Sequence, residues 1–318
     1  MAFGTLLGHL PVRERDFIKW ICSQGAFDAA KVPLGPGDDC AMLACGAERL
    51  LVTTDQVLDG VHFVLARHGA KSAGRKAMAR NLSDVAAMAG LPMGAVATVA
   101  LPEGFSRDDC EAIYLGLRSV GDEFDCPVVG GDVACWAGPL AISVTVFAQP
   151  VGAGPVLRSG AQAGDAICVT GQLGGAWASG RDMTFIPRVN EARALAAHNC
   201  LHAMIDLSDG LATDLRHVCE ASGVGAEIDA TAIPIHPGLT DKPQRPAITA
   251  ALSDGEDYEL LFTLPTDQAD RLLASQPLDV KITKIGTVND SKHVTVMGLD
   301  GQRQPLESSG WEHATGQP

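Results

Sequence analysis

The order of apolar and polar residues predicts alternating helices and strands along the whole chain. Residues 14–22 carry Phe17, Ile18 and Ile21 on one side of a short amphipathic helix. Leu50-Leu51-Val52 lies in a buried strand over 49–54, which ends in Thr53-Thr54-Asp55. Residues 71–89 form the longest helical pattern. Met78, Leu82, Val85 and Ala89 mark its apolar stripe, Asn81 and Asp84 share another face, and Gly90 reads as its C-cap. A strand over 94–101 follows, then a helix from a Ser106 N-cap to about residue 124 with Asp108 and Asp109 in its first turn. Pro127-Val128-Val129 reads as a short strand ending in Gly130-Gly131-Asp132, and 140–148 alternates as a half-buried strand does. The Pro- and Gly-bearing stretch 149–155 reads as a linker.

Beyond it the pattern predicts strands at 166–170, 225–229, 258–264, 280–285 and 293–297, and helices at 190–198, 211–221 and 266–275. Strands that alternate, interleaved with helices in both halves, favour an α+β fold over a doubly wound parallel sheet. The 318 residues suggest two domains, 1–148 and 149–318.

Composition narrows the partners. Apolar residues make up 46% of the chain, so a substantial core can be buried. The formal net charge of −14 argues against nucleic acid or an anionic membrane as the main partner. It leaves room for an anionic small substrate if a cation inverts the local field. Nine scattered cysteines without a CxxC pair read as reduced thiols. No signal peptide is evident in 1–13, and no apolar run approaches the ~20 residues of a membrane span. The cytoplasm is the expected compartment.

The charge is concentrated where chemistry is possible. Gly35-Pro36-Gly37-Asp38-Asp39 places two adjacent carboxylates in a glycine turn, and two such charges repel unless a cation or proton separates them. Asp55 ends a strand, Asp84 sits on a helix, Asp132 follows two glycines, and Asp206 and Asp209 flank Ser208 at a helix start. Singly, each has a plainer reading. Asp209 before Gly210 caps a helix, Asp84 is a solvated helix residue, and Thr53 is a β-branched strand residue. His62 is a loop histidine, Tyr114 a core residue and Trp311 packing for a polar tail. Together the carboxylates fit a hard cation such as Mg²⁺, which takes oxygen ligands and bridges nucleotide phosphates. The chain has no GxxxxGK[ST] loop, no protein-kinase glycine loop, no strand-GxGxxG unit and no Gly-x-Ser-x-Gly elbow.

Eight motifs run in order: Gly37-Asp38-Asp39; Thr53-Thr54-Asp55; Gly60-Val61-His62-Phe63; Asn81-Leu82-Ser83-Asp84-Val85-Ala86-Ala87-Met88; Gly130-Gly131-Asp132; Leu157-Arg158-Ser159-Gly160; Ile205-Asp206-Leu207-Ser208-Asp209-Gly210-Leu211; and Gly255-Glu256-Asp257-Tyr258-Glu259-Leu260. In this the chain resembles the thiamine-monophosphate kinase family, of the aminoimidazole ribonucleotide synthetase superfamily. The resemblance implies a two-domain α+β fold, a C-terminal α/β sandwich domain and a homodimer whose N-terminal sheets form a shared barrel. It implies phosphorylation of thiamine monophosphate by ATP, by direct in-line transfer with several Mg²⁺ ions. Carried over residue by residue, Asp39, Thr53, Thr54, Asp55, Asp84, Asp132, Asp206 and Asp209 would hold the ions. Tyr114, Gly131, Asp132, Arg158 and Ser208 would contact the nucleotide, and His62, Glu256 and Trp311 the thiamine phosphate. The chain departs from the family pattern at three places. Val133-Ala134-Cys135-Trp136-Ala137-Gly138-Pro139 stands where Thr-Thr-Arg-Gly-Pro is usual, Asp254 stands for a usual Gly, and the segment 171–204 is short. A superfamily relative with another acceptor, or one that only binds ATP, is the alternative.

Overall fold

Two sheets divide the strands at the stretch read as a linker. The computed structural model describes residues 14–24, 27–152, 154–239 and 246–307. The first sheet contains β1 (Ala41–Cys45), β2 (Glu48–Leu58), β3 (Leu91–Pro102), β4 (Val128–Trp136) and β5 (Ala141–Gln149), in the order β1-β2-β5-β3-β4. The second contains β6 (Ala166–Thr170), β7 (Ala203–Asp206), β8 (Gly225–Asp229), β9 (Leu260–Leu264), β10 (Ile282–Asn289), β11 (Val294–Met297) and β12 (Arg303–Pro305), in the order β12-β11-β8-β10-β6-β9-β7. Pairing is antiparallel except between β3 and β4 and between β8 and β11. The helices are α1 (Glu14–Gln24), α2 (Leu65–Ala87), α3 (Arg107–Gly121), α4 (Ala176–Ser179), α5 (Val189–His198), α6 (Leu211–Ser222), α7 (Ala247–Ser253) and α8 (Thr266–Ser275). This is the α+β architecture that the alternation of patterns predicts.

The first sheet is open. Among the described residues its edge strands β1 and β4 do not pair with each other, and no barrel closes.

Helix α2 is the centre of the molecule. Its expected stripe, Met78, Leu82, Val85 and Ala89, is buried, but so are Lys76, Asn81 and Ser83 on other faces. The reason is its position: it touches β2 and β5 of the first sheet, β7 of the second, and α3 and α5. One continuous core joins Val85 and Ala86 to Met204 and Phe262. Burial at about 25 cal/mol per Å² of apolar surface makes this shared core the main stabilising term. Close approach of α2 to α3 depends on two glycines. A Cβ on Gly74 would lie 2.2 Å from the Ile113 carbonyl oxygen, and one on Gly116 would lie 2.0 Å from that of Lys71.

Helix α1 forms as expected, and Ile18 and Ile21 of its apolar side are exposed, as is Trp20. Several expectations are corrected. The left-handed residue ending α2 is Ala89 (φ 53°), not Gly90. Gly90 donates its N–H back to the Val85 carbonyl at 2.9 Å, and a Cβ there would press on Val85 and Leu51 at 3.0 and 3.1 Å. Strand β4 runs straight through Gly130-Gly131-Asp132 instead of ending there. Gly131 is required for pairing, because a Cβ would stand 1.9 Å from the Ala97 carbonyl oxygen. Strand β9 begins at Leu260 rather than 258, since Tyr258 takes a left-handed φ of 50°. Ser106 caps α3 as expected, accepting from the Asp109 N–H at 3.0 Å.

Gly116→Ala is expected to destabilise the chain by about 1–3 kcal/mol through overpacking of the α2–α3 crossing. Urea unfolding checks this; an unchanged midpoint would mean that the helices separate without cost.

Candidate active site

Three elements bring carboxylates to one place. Asp39 follows the glycine turn, Asp84 lies on the last turns of α2, and Asp206 ends β7. One oxygen of each lies within 4.8 Å of the others. Each is held by a neighbour. Arg158 grips Asp39 with two hydrogen bonds, from Nη2 to Oδ1 at 2.6 Å and from Nε to Oδ2 at 3.1 Å. The Thr53 hydroxyl donates to Asp84 Oδ2, and the Ser83 hydroxyl donates to Asp206 Oδ2 at 2.6 Å. Asp38 shapes the approach: its Oδ1 accepts from the Asp39 N–H at 3.1 Å and its Oδ2 from the Arg158 N–H at 3.2 Å.

Burial and mutual repulsion make Asp38, Asp84 and Asp206 weak acids. Burial, followed by the Asp39 charge, pushes Asp206 up to about 7 and Asp38 up to about 6. Asp84 is raised well above the usual carboxylate range, by burial and then by Asp55, Asp206 and Asp39. Such a group favours a proton or a cation between the charges. The donor set is all oxygen, which fits a hard divalent ion rather than zinc.

A second layer lies alongside. Asp55 accepts from Arg80 Nε at 2.9 Å, and its backbone N–H donates to Asn81 Oδ1 at 2.9 Å. Lys76, fully buried, donates to the His62 carbonyl at 2.6 Å, to Asp182 at 3.0 Å and to Glu256. A buried ammonium requires such pairing. Glu256 reaches it because its backbone is left-handed, with φ 65°. Its N–H donates to the Ser208 carbonyl at 2.7 Å, which ties the 255–258 turn to the start of α6. The next residue, Asp257, is bound by Arg181 and by the Gly174 N–H. The His62 ring accepts the Leu58 N–H at 3.1 Å through Nδ1.

The other residues singled out in the sequence lie elsewhere. Thr54 faces the opposite side of β2, where its hydroxyl donates to the Val144 carbonyl at 3.1 Å. Tyr114, Gly131 and Asp132 line a separate groove of 570 Å³ between α3 and β4. Asp209 lies with Asp214 and His217 in a second acidic group. Trp311 is outside the described residues. Lys76, Arg80, Ser83, Asp182 and Asp214 were not singled out by sequence reasoning. Lys76, Arg80 and Asp84 do recur at intervals of four on α2, and that spacing was the available signal.

Residues 37–149 match the N-terminal domain of AIR synthase related protein, and residues 162–298 match its C-terminal domain. The thiamine-monophosphate kinase of Rhodopirellula baltica is 36% identical over 269 residues, 81% of this chain and 84% of that protein. The chain belongs to the thiamine-monophosphate kinase family. Among solved structures, AaThiL complexed with AMPPCP and TMP superposes with a TM-score of 0.80 at 29% identity, covering 98% of this chain and all of that one. Thiamine-monophosphate kinase from Stenotrophomonas maltophilia gives 0.70 at 36% identity, covering 90% of this chain and 95% of that one. The members thus share the two-sheet frame on which the acidic group is built. No helix among the described residues is long and apolar enough to cross a membrane.

The raised acids give a signed pH dependence. In the folded chain Asp206 keeps its proton up to about pH 7, against an ordinary value of 3.8. The folded state therefore binds more protons between those values, and its stability falls as pH rises through that window. Without divalent cation, Tm is expected to drop from about pH 5 to about pH 8, and Asp206→Asn to flatten the slope. An equal slope in both proteins, by scanning calorimetry, would contradict the placement of Asp206 among buried like charges.

Proposed function

We propose that this chain transfers the γ-phosphoryl group of ATP to the phosphate of thiamine monophosphate. An acceptor phosphate oxygen attacks γ-phosphorus in line, the bond to the β–γ bridging oxygen breaks, and ADP and thiamine diphosphate leave with no phosphoenzyme. The observation that carries the reading is the convergence of Asp39, Asp84 and Asp206, in a chain of this family, with Arg158 bound to Asp39 and Arg80 bound to the neighbouring Asp55. Loose transition states of phosphoryl transfer call for positioning and charge neutralisation, with little covalent work by the protein.

Asp39, Asp84 and Asp206 would hold Mg²⁺ ions, with Thr53 and Asp55 as neighbouring ligands; Thr54, Asp132 and Asp209, which the single chain holds apart from the three acids, would bind further ions of the site. Bound magnesium neutralises phosphate charge and aligns donor and acceptor oxygens. Thr53 and Ser83 fix the orientation of Asp84 and Asp206, so their lone pairs are aimed before substrate arrives. Tyr114, Gly131, Arg158 and Ser208 contact the nucleotide. His62, Glu256 and Trp311 contact the acceptor, and the aminopyrimidine is a natural hydrogen-bond partner for Glu256. Residues 1–148 serve ion binding, nucleotide binding and dimerisation, and residues 149–318 complete the site. The protein works in the cytoplasm.

A homodimer is part of the reading. Edge strand β4 exposes Val129, Val133 and Trp136, apolar groups that favour pairing of this edge with a second copy and a barrel shared between subunits. Val133→Asp is expected to shift the protein from dimer to monomer in light scattering; a wild type that is monomeric at micromolar concentration would contradict the shared barrel.

ADP formation from ATP is expected to require both thiamine monophosphate and Mg²⁺, with thiamine and aminoimidazole ribonucleotide precursors as poor acceptors. Asp84→Asn is expected to lower kcat/KM by about 100-fold or more while leaving Tm equal or higher, since one of three repelling charges is gone. Well-folded wild type that forms no ADP with thiamine monophosphate would overturn the proposal, and full activity in the Asn variant would overturn the ion site.

A further inference from the structure

Helix α2 carries Lys76, Arg80 and Asp84 at intervals of four, so one face runs from two cations to the carboxylate group. Lys76 is saturated by His62, Asp182 and Glu256. Arg80 is not. Its Nε is committed to Asp55 at 2.9 Å, and its Nη1 stands 3.7 Å from Glu256 Oε1, without a hydrogen-bond partner and shielded from solvent. A buried guanidinium nitrogen with no acceptor is a rare and costly arrangement unless a ligand supplies the acceptor. The carboxylates on either side, Asp55 and Glu256, are partly exposed, so the guanidinium lies in the wall of an open site.

We propose that Arg80 binds the phosphate of the acceptor. Guanidinium is planar, always charged, and matched to phosphate oxygens by its fork of donors. Two arginines hold different acids here: Arg158 binds Asp39, and Arg80 binds Asp55 beside Glu256. Two anionic phosphates must meet for transfer, and each needs positive charge. Arg158 serves the donor side. Arg80, one helical turn from Lys76 and against Glu256, serves the acceptor side. An acceptor phosphate oxygen would satisfy Nη1 while Nε stays on Asp55. This inference rests on the kinase reading above and adds to it a residue that selects phosphorylated over unphosphorylated acceptor.

The test is calorimetric binding of thiamine monophosphate and, separately, of ATP with Mg²⁺ to the full chain, as wild type, Arg80→Gln and Arg80→Lys. The expected result for the Gln variant is about tenfold or greater loss of thiamine monophosphate affinity, with ATP affinity within about twofold of wild type. Lys should recover part of the loss, because it keeps the charge but lacks the fork. Unchanged thiamine monophosphate affinity would overturn the proposal. A parallel loss for both ligands would also overturn it, by showing that Arg80 only holds Asp55 in place. If the Gln variant fails to fold, the Lys variant decides by the same two measurements. Wild type that binds ATP but no thiamine monophosphate would instead remove the kinase reading and this inference with it.

Discussion

Three carboxylates drawn from distant parts of the chain cannot share a buried space unless something separates their charges. That constraint governs the structure around Asp39, Asp84 and Asp206. Arg158 offsets the first, hydroxyls of Thr53 and Ser83 satisfy the other two, and raised proton affinity absorbs the remainder. The folded chain is thereby held in an arrangement that a cation relieves. In such a site stability and function pull against each other: the repulsion that weakens the fold is the attraction that gathers ions and phosphates.

Helix α2 makes the arrangement possible. It is buried on almost every side between the two sheets, and its tight crossing with α3 at Gly74 and Gly116 fixes its height and rotation. That rotation aims Asp84 at the other acids, Ser83 at Asp206, and Arg80 and Lys76 at Glu256. The turn at 255–258 completes the wall from the second sheet, with left-handed φ at both Glu256 and Tyr258. Non-glycine residues hold such a conformation only where their surroundings impose it. Here the Ser208 carbonyl, Lys76 and the stacking of Tyr258 on Phe185 at 3.9 Å do so.

Much of this was legible in the sequence. Strands 166–170 and 225–229 and the helix 266–275 lie where their patterns put them, because each is bounded by clear turn residues. The acids at glycine turns and strand ends stood out one by one. What hid the rest was tertiary. Gly131 resembles a strand end but is a contact point inside β4, and Ala89 takes the left-handed position that Gly90 was expected to fill. The four-residue spacing puts Lys76 and Arg80 on the face of Asp84 but does not mark them as buried, because the acids that pair with Lys76, Asp182 and Glu256, are distant in sequence. The exposed Ile18, Trp20 and Ile21 show the converse: an amphipathic stripe predicts a helix but not what covers it.

The central claim is that Asp39, Asp84 and Asp206 together hold divalent ions against a nucleotide. The most direct measurement is anomalous diffraction from crystals grown with Mn²⁺ and a non-hydrolysable ATP analogue. The account predicts manganese peaks coordinated by oxygens of these three residues, with phosphate oxygens completing the shell. Nucleotide bound with no metal at the three carboxylates, or metal held only elsewhere in the chain, would contradict it.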